Sequence, residues 1–205
     1  MKNQIPPSIE QADQQCAPLC SGRRSVIKIT AAVLAGLNVD LTQALASVPA
    51  DLRPQRGDKL VLAGSEGAPK ALKLDDIKPG AKPVHAFPFD AASGTVRDGS
   101  RFNKVLLVRL DASSLDEDTR KRSAGGVLAF SAVCTHEGCD VTEWVDKEKA
   151  LLCFCHFSKF SPLESGRVLA GPATRSLPFL PLTANGGELS VAGPFSAPPG
   201  AKKAL

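Results

Sequence analysis

Cys134-Thr135-His136-Glu137-Gly138-Cys139 and Cys153-Phe154-Cys155-His156-Phe157-Ser158 are the two stretches on which the reading of this chain turns. Each supplies one cysteine and one histidine at tight spacing, so both donors can project from a single loop, and each carries one cysteine more. Two thiolates and two imidazoles are the donor set of a [2Fe–2S] centre in which histidines replace cysteines on one iron. The same four groups also suit a tetrahedral zinc ion. Cys139 and Cys155 are left over in either case, and they sit where a disulfide could tie the two boxes together.

The surrounding composition narrows the choice. The chain has 205 residues, room for one domain with a sizeable core. A net charge of +4, with the basic residues spread out, implies no nucleic-acid field. There are three histidines, so with His136 and His156 engaged only His85 is free. His85 lies in a strand-like Pro-Val-His-Ala-Phe run and reads as structural or exposed. An oxygenase carrying a second, mononuclear iron on two histidines and a carboxylate is therefore excluded. No nucleophile elbow, phosphate loop or dinucleotide fingerprint is present. Zinc fits the donor types but leaves the paired spare cysteines and Ser158 without a purpose.

The N-terminal segment carries an export pattern. Arg23-Arg24 precedes an apolar stretch from Ile29 to Leu37, and Ala44-Leu45-Ala46 offers an Ala-x-Ala site. The order resembles a bacterial twin-arginine signal, with cleavage expected after Ala46. Asp40 interrupts any window of the roughly 20 residues a spanning helix requires, so no membrane span is expected after cleavage. Cys16 and Cys20 precede the arginines and receive no role. The expected destination is the periplasm, which permits a disulfide.

Downstream, the pattern is all-β. Strand-like runs are expected at Lys59–Ala63, Val84–Phe89, Lys104–Leu110, Val127–Ala132, Val141–Val145, Ala150–Phe154, Gly166–Ala170, Leu177–Leu182 and Glu188–Ala192. Leu106–Leu110 alternates poorly and reads as buried on both faces. Residues 113–122 carry acids first and bases last, the order of a short capped helix or a solvated excursion. Residues 75–103 read as an insertion without an assigned role. The tail from Pro194 is rich in Pro, Ala, Gly and Lys and is expected to be disordered.

Taken together the two boxes resemble the Rieske iron–sulfur proteins, in the disulfide-containing branch. The resemblance is good over residues 127–192 and weak over 47–126. It implies an antiparallel β-sandwich or barrel base at 47–193, with a small cluster-binding subdomain at about 131–174 built from two loops. It implies one [2Fe–2S] cluster held by Cys134, His136, Cys153 and His156, a Cys139–Cys155 disulfide, and Ser158 donating a hydrogen bond to a bridging sulfide. Gly171-Pro172-Ala173 resembles the family's proline loop over the cluster. Two positions depart from the family pattern. Phe157 stands where glycine is usual, and Phe160 where tyrosine is usual, in a chain with no tyrosine at all.

Such a centre is formally neutral when oxidised, against two negative charges for an all-thiolate cluster. It therefore accepts an electron more readily, in a range of roughly −150 to +300 mV. Proton exchange at the outer imidazole nitrogens links electron uptake to pH. The Cys-His-Phe-Ser form of the second box, the leader and the missing anchor are similar to the small subunit of arsenite oxidase. That likeness implies a larger, molybdenum-containing redox subunit and a cytochrome c or similar carrier as partners. The rival readings are the Rieske subunit of a quinol-oxidising cytochrome bc complex and a free-standing cluster-binding domain.

Overall fold

The computed structural model describes residues 49–202. The leader expected over residues 1–46, with Cys16 and Cys20, lies outside the described residues. Among the described residues twelve strands form: β1 (Lys59–Leu62), β2 (Val84–Asp90), β3 (Thr95–Val96), β4 (Val105–Arg109), β5 (Val127–Ser131), β6 (Glu143–Val145), β7 (Ala150–Cys153), β8 (Ser158–Ser161), β9 (Arg167–Ala170), β10 (Phe179–Leu180), β11 (Leu182–Asn185) and β12 (Glu188–Val191). One short helix, α1 (Glu117–Lys121), lies between β4 and β5. The first sheet runs β10-β5-β4-β2-β1-β12-β11, with β3 added to β2, and its pairings are antiparallel. Its two end strands, β10 and β11, are separated in the chain by Pro181 alone, so the sheet curls into a nearly closed barrel. β6 to β9 form a second antiparallel sheet that carries the second box.

β4 and β5 explain how the two parts fit together. Leu106 pairs with Phe130 and Val108 with Leu128, and these four side chains enter one core, shared with Leu151, Phe160, Cys134 and Cys153. Val105, Leu107, Val127 and Ala129 point the opposite way, into a second core with Leu60, Leu180, Leu189 and Val191. The poor alternation of this segment thus has its physical reason. Both faces are covered, so both parities are apolar.

Three details differ from the sequence expectation. The run at Leu177–Leu182 divides at Pro181, which cannot donate to a ladder, into β10 and β11. β8, which starts at the last residue of the second box, and the two-residue β3 are additional strands. The tail is not disordered between residues 194 and 202. Ser196 N–H donates to the Phe179 carbonyl at 2.9 Å, and Arg175 Nη2 donates to the Gly200 carbonyl at 2.5 Å. Its composition cannot build a core of its own, but it borrows partners from β10 and from Arg175.

The charged run at 113–122 contains α1, capped by Asp116, whose carboxylate accepts from Thr119 N–H at 2.6 Å. Glu117–Lys121 and Asp118–Arg122 pair at i,i+4 spacing. Residues 75–103 add β2 and β3 and bring Arg97 onto Asp58. That pair is bidentate at 2.6 and 2.9 Å, with side chains 3% and 4% exposed. Removing one partner of such a pair strands a buried charge, at a cost of about 3–5 kcal/mol. Asp90 lies 3.7 Å from Arg97 and would compensate in part. Asp58→Ala is therefore expected to lower unfolding stability by about 3 kcal/mol in urea titration; a loss below about 1 kcal/mol would show that the pair is dispensable.

Candidate metal centre

The first box is a loop closed on itself. Cys134 N–H donates to the Cys139 carbonyl at 2.8 Å and Gly138 N–H to the Cys134 carbonyl at 3.1 Å. Gly138 takes φ +79°, open to glycine at little cost. Cys134 lies at the buried root and His136, half-exposed, further out. The loop is braced from outside. Arg101 Nη2 donates to the Gly138 carbonyl and to Asp140, each at 2.6 Å, and the Thr135 hydroxyl donates to the Arg175 carbonyl at 2.7 Å.

The second box is the turn of the β7–β8 hairpin. Cys153 and Ser158 face each other in register, and both are buried. The four residues between them, Phe154 to Phe157, are exposed. Phe157 has φ +59°, a left-handed conformation that explains why glycine is the usual residue there.

These loops bring the expected ligands together in two pairs. The rings of His136 and His156 lie 4.7 Å apart, nearly perpendicular at 81°. Cys134 and Cys153 are the free cysteines among the described residues, and their thiols are within hydrogen-bonding reach. Burial, above all, pushes the Cys134 thiol up to about 11; the neighbouring Cys153 adds to the rise, while hydrogen bonds from the His136 backbone and Ser158 oppose it. The Cys134 thiol is thus held neutral unless a cation is supplied, and a metal centre reverses that balance. His136 Nδ1 is buried without a hydrogen-bond partner among the described residues. Its Nε2 faces outward, 3.9 Å from Glu137 Oε1. Two buried thiols and a buried imidazole nitrogen without a partner are a donor set that fits an iron–sulfur centre.

The supporting residues converge on the same point. Cys139 and Cys155 form a disulfide joining the two loops, with Cα atoms 6.5 Å apart. The sulfurs of Cys139, Cys153 and Cys155 lie within 4.8 Å of one another. Ser158 Oγ accepts from Ala173 N–H at 3.1 Å, which leaves its own proton free to be donated toward sulfur. Gly171 has φ +84°, and a Cβ there would stand 2.5 Å from Ser158 Cα and 2.6 Å from the Phe157 carbonyl oxygen. Glycine alone lets the Gly171-Pro172-Ala173 loop lie against the second box. Phe160 is fully buried in the core that includes Cys134 and Cys153. His85 stays apart in β2, 3.4 Å from the Val141 carbonyl oxygen.

Residues 104–181 match the Rieske [2Fe-2S] domain family. The chain carries a Rieske [2Fe–2S] domain. The domain holds a single [2Fe–2S] cluster and serves electron transfer. Over 106 residues the chain is 37% identical to a protein of Haloferax mediterranei named as the Rieske subunit of a respiratory nitrate reductase, covering 51% of this chain and 47% of that protein. It is 39% identical over 104 residues to the cytochrome bc1 complex Rieske iron-sulfur subunit of Corynebacterium glutamicum, covering 48% and 26%. The chain thus spans about half and about a quarter of the length of these relatives. The soluble domain of Rieske protein II from Sulfolobus acidocaldarius aligns with a TM-score of 0.39 at 23% identity, over 50% of this chain and 67% of that one.

Arg101 and Arg175, which brace the first loop, were not legible in the sequence, because nothing in their local pattern reports a contact to a loop some 40 residues away. The Rieske disulfide closes a 16-residue separation and is worth about 3 kcal/mol by loop entropy. Cys139→Ser is expected to lower the melting temperature and shed the cluster; unchanged cluster content and melting would refute a clamp. Phe160→Tyr adds a hydroxyl to the core that includes Cys134 and Cys153, and hydrogen bonds to sulfur stabilise the reduced, more negative state. Redox titration should give a raised midpoint, and an unchanged or lower one would contradict this placement.

Proposed function

We propose that this chain is an exported one-electron carrier, the small electron-transfer subunit of a periplasmic oxidoreductase similar to arsenite oxidase. One observation carries the electron-carrier part: two buried thiols and two adjacent imidazoles converge from loops tied by a disulfide. Cys134 and Cys153 would hold one iron, and His136 and His156 the other. When bound, the cluster takes up and returns a single electron. The protein's share of the work is positional. Ser158 directs a proton at sulfur, the disulfide keeps the loops in register, and the buried roots of both loops exclude water. The exposed His156 offers the electron's way out.

The finer assignment rests on the Cys-His-Phe-Ser box and the twin-arginine pattern. Among the described residues no helix is long and apolar enough to cross a membrane. A larger redox subunit, a molybdenum protein, would fill the cluster and a cytochrome c or similar carrier would empty it. The second reading, a cytochrome bc Rieske subunit, is favoured by the bc1 relatives. Fractionation of cells making the full chain separates the two. Release with the periplasmic contents, starting at Ser47, and co-purification of a molybdenum subunit are expected. Retention in the membrane with a cytochrome b would move the assignment to the bc complex.

A further inference from the structure

Three sulfurs where the two boxes meet have more than one way to pair. Cys139 and Cys155 are joined, Cys153 is a free thiol, and the three sulfur atoms lie within 4.8 Å of one another. A thiol beside a disulfide can displace one of its sulfurs, and the exchange consumes no oxidant or reductant. The surroundings decide which sulfur leaves. Cys153 is buried and Cys139 is half-buried against the same core, whereas Cys155 is exposed. Attack at Cys139 Sγ expels the Cys155 sulfur, which solvent stabilises as it departs. Attack at Cys155 Sγ would close a ring across Phe154 alone, with little freedom to meet disulfide geometry. Pairing Cys153 with Cys134 instead would need an oxidant.

We propose that a chain lacking its cluster locks itself by this exchange. The Cys153 sulfur gives its proton to water and bonds to Cys139 Sγ as the Cys139–Cys155 bond breaks, and the Cys155 sulfur takes up a proton. One disulfide and two thiols stand on each side of the step, so electrons balance. The two loops stay tied, because Cys139 closes the first box and Cys153 ends β7 at the root of the second. The fold is therefore kept while the buried Cys153 thiol is consumed and the exposed Cys155 becomes a reactive thiol. Attack runs along the axis of the bond that breaks, so Cys153 has to swing into line inside a closed core. Uncatalysed rearrangements of this kind take minutes to hours. A chain that holds its cluster is protected, since a sulfur engaged by iron is not free to attack. The block to reloading rests on the reading of Cys153 as an iron ligand; the exchange itself rests on the three sulfurs alone.

The test strips the loaded full chain anaerobically with an iron chelator, removes iron and sulfide on a desalting column, and follows the protein for a day. Samples are quenched in acid, blocked with a maleimide and mapped by mass spectrometry without reduction. The first sample should show Cys139 joined to Cys155, with Cys134 and Cys153 blocked. Later samples should show the Cys139–Cys153 peptide pair rising at least tenfold, with the block moving from Cys153 to Cys155. Reloading with ferrous iron and sulfide should fail in proportion to the exchanged fraction and recover after treatment with a dithiol. Cys134→Ser, which keeps the three sulfurs, should exchange as the stripped wild type does, while the loaded chain held in parallel should keep Cys139–Cys155. Persistence of Cys139–Cys155 in the stripped chain overturns the proposal, as does a Cys153–Cys155 pair with Cys139 blocked. Exchange with undiminished reloading overturns the lock and the ligand role of Cys153 together. A purified chain that yields neither iron nor sulfide to strip refutes the electron-carrier reading itself, and the Cys134→Ser map then decides the exchange separately.

Discussion

The structure depends on a pair of strands that is wet on neither side. β4 and β5 present Leu106, Val108, Leu128 and Phe130 to the cluster-bearing unit and Val105, Leu107, Val127 and Ala129 to the barrel. A one-residue slip would exchange the two sets, and each core would receive side chains cut for the other. Register is therefore fixed from both faces. The rigidity passes directly into the site, since β5 ends at Ser131 and Cys134 follows three residues later.

From that wall, each layer of the site is held by something of a different physical kind. The first loop is closed by its own backbone hydrogen bonds and braced by Arg101 and by the Arg175 carbonyl. The second is a hairpin turn whose ends, Cys153 and Ser158, are locked by strand pairing. A covalent bond joins the two. A glycine that tolerates backbone contact lays the proline loop on top. No single contact is large, but together they fix the two loops against each other.

How much of this was legible in the residues varies with the kind of information. The boxes were readable because ligand chemistry is local: Cys-x-His and Cys-x-x-His fix donor type and reach within a few residues. The strands were readable wherever burial imposed a pattern, and the unpatterned Leu106–Leu110 run was informative because its lack of alternation meant two covered faces. β8 was missed because three of its four residues, Ser158–Ser161, are polar and it begins at the last residue of a motif read for chemistry. The tail was misread because composition reports what a segment cannot do alone, and residues 194–202 are ordered by partners elsewhere, Arg175 and Phe179 among them. The same limit hid Arg101. The departure at Phe157 was visible as a residue change, but its meaning, a strained and exposed ring beside His156, required the backbone angle and the surface.

The central claim is that the two boxes hold one cluster through two thiolates and two imidazoles. Pulsed EPR on the reduced, anaerobically purified chain, labelled with nitrogen-15 histidine, tests it most directly. The account predicts two strongly coupled histidine nitrogens on a single reduced [2Fe–2S] centre, one lost in His136→Ala and the other in His156→Ala. A reduced cluster with no strongly coupled nitrogen, or an EPR-silent chain that binds one zinc, would contradict it.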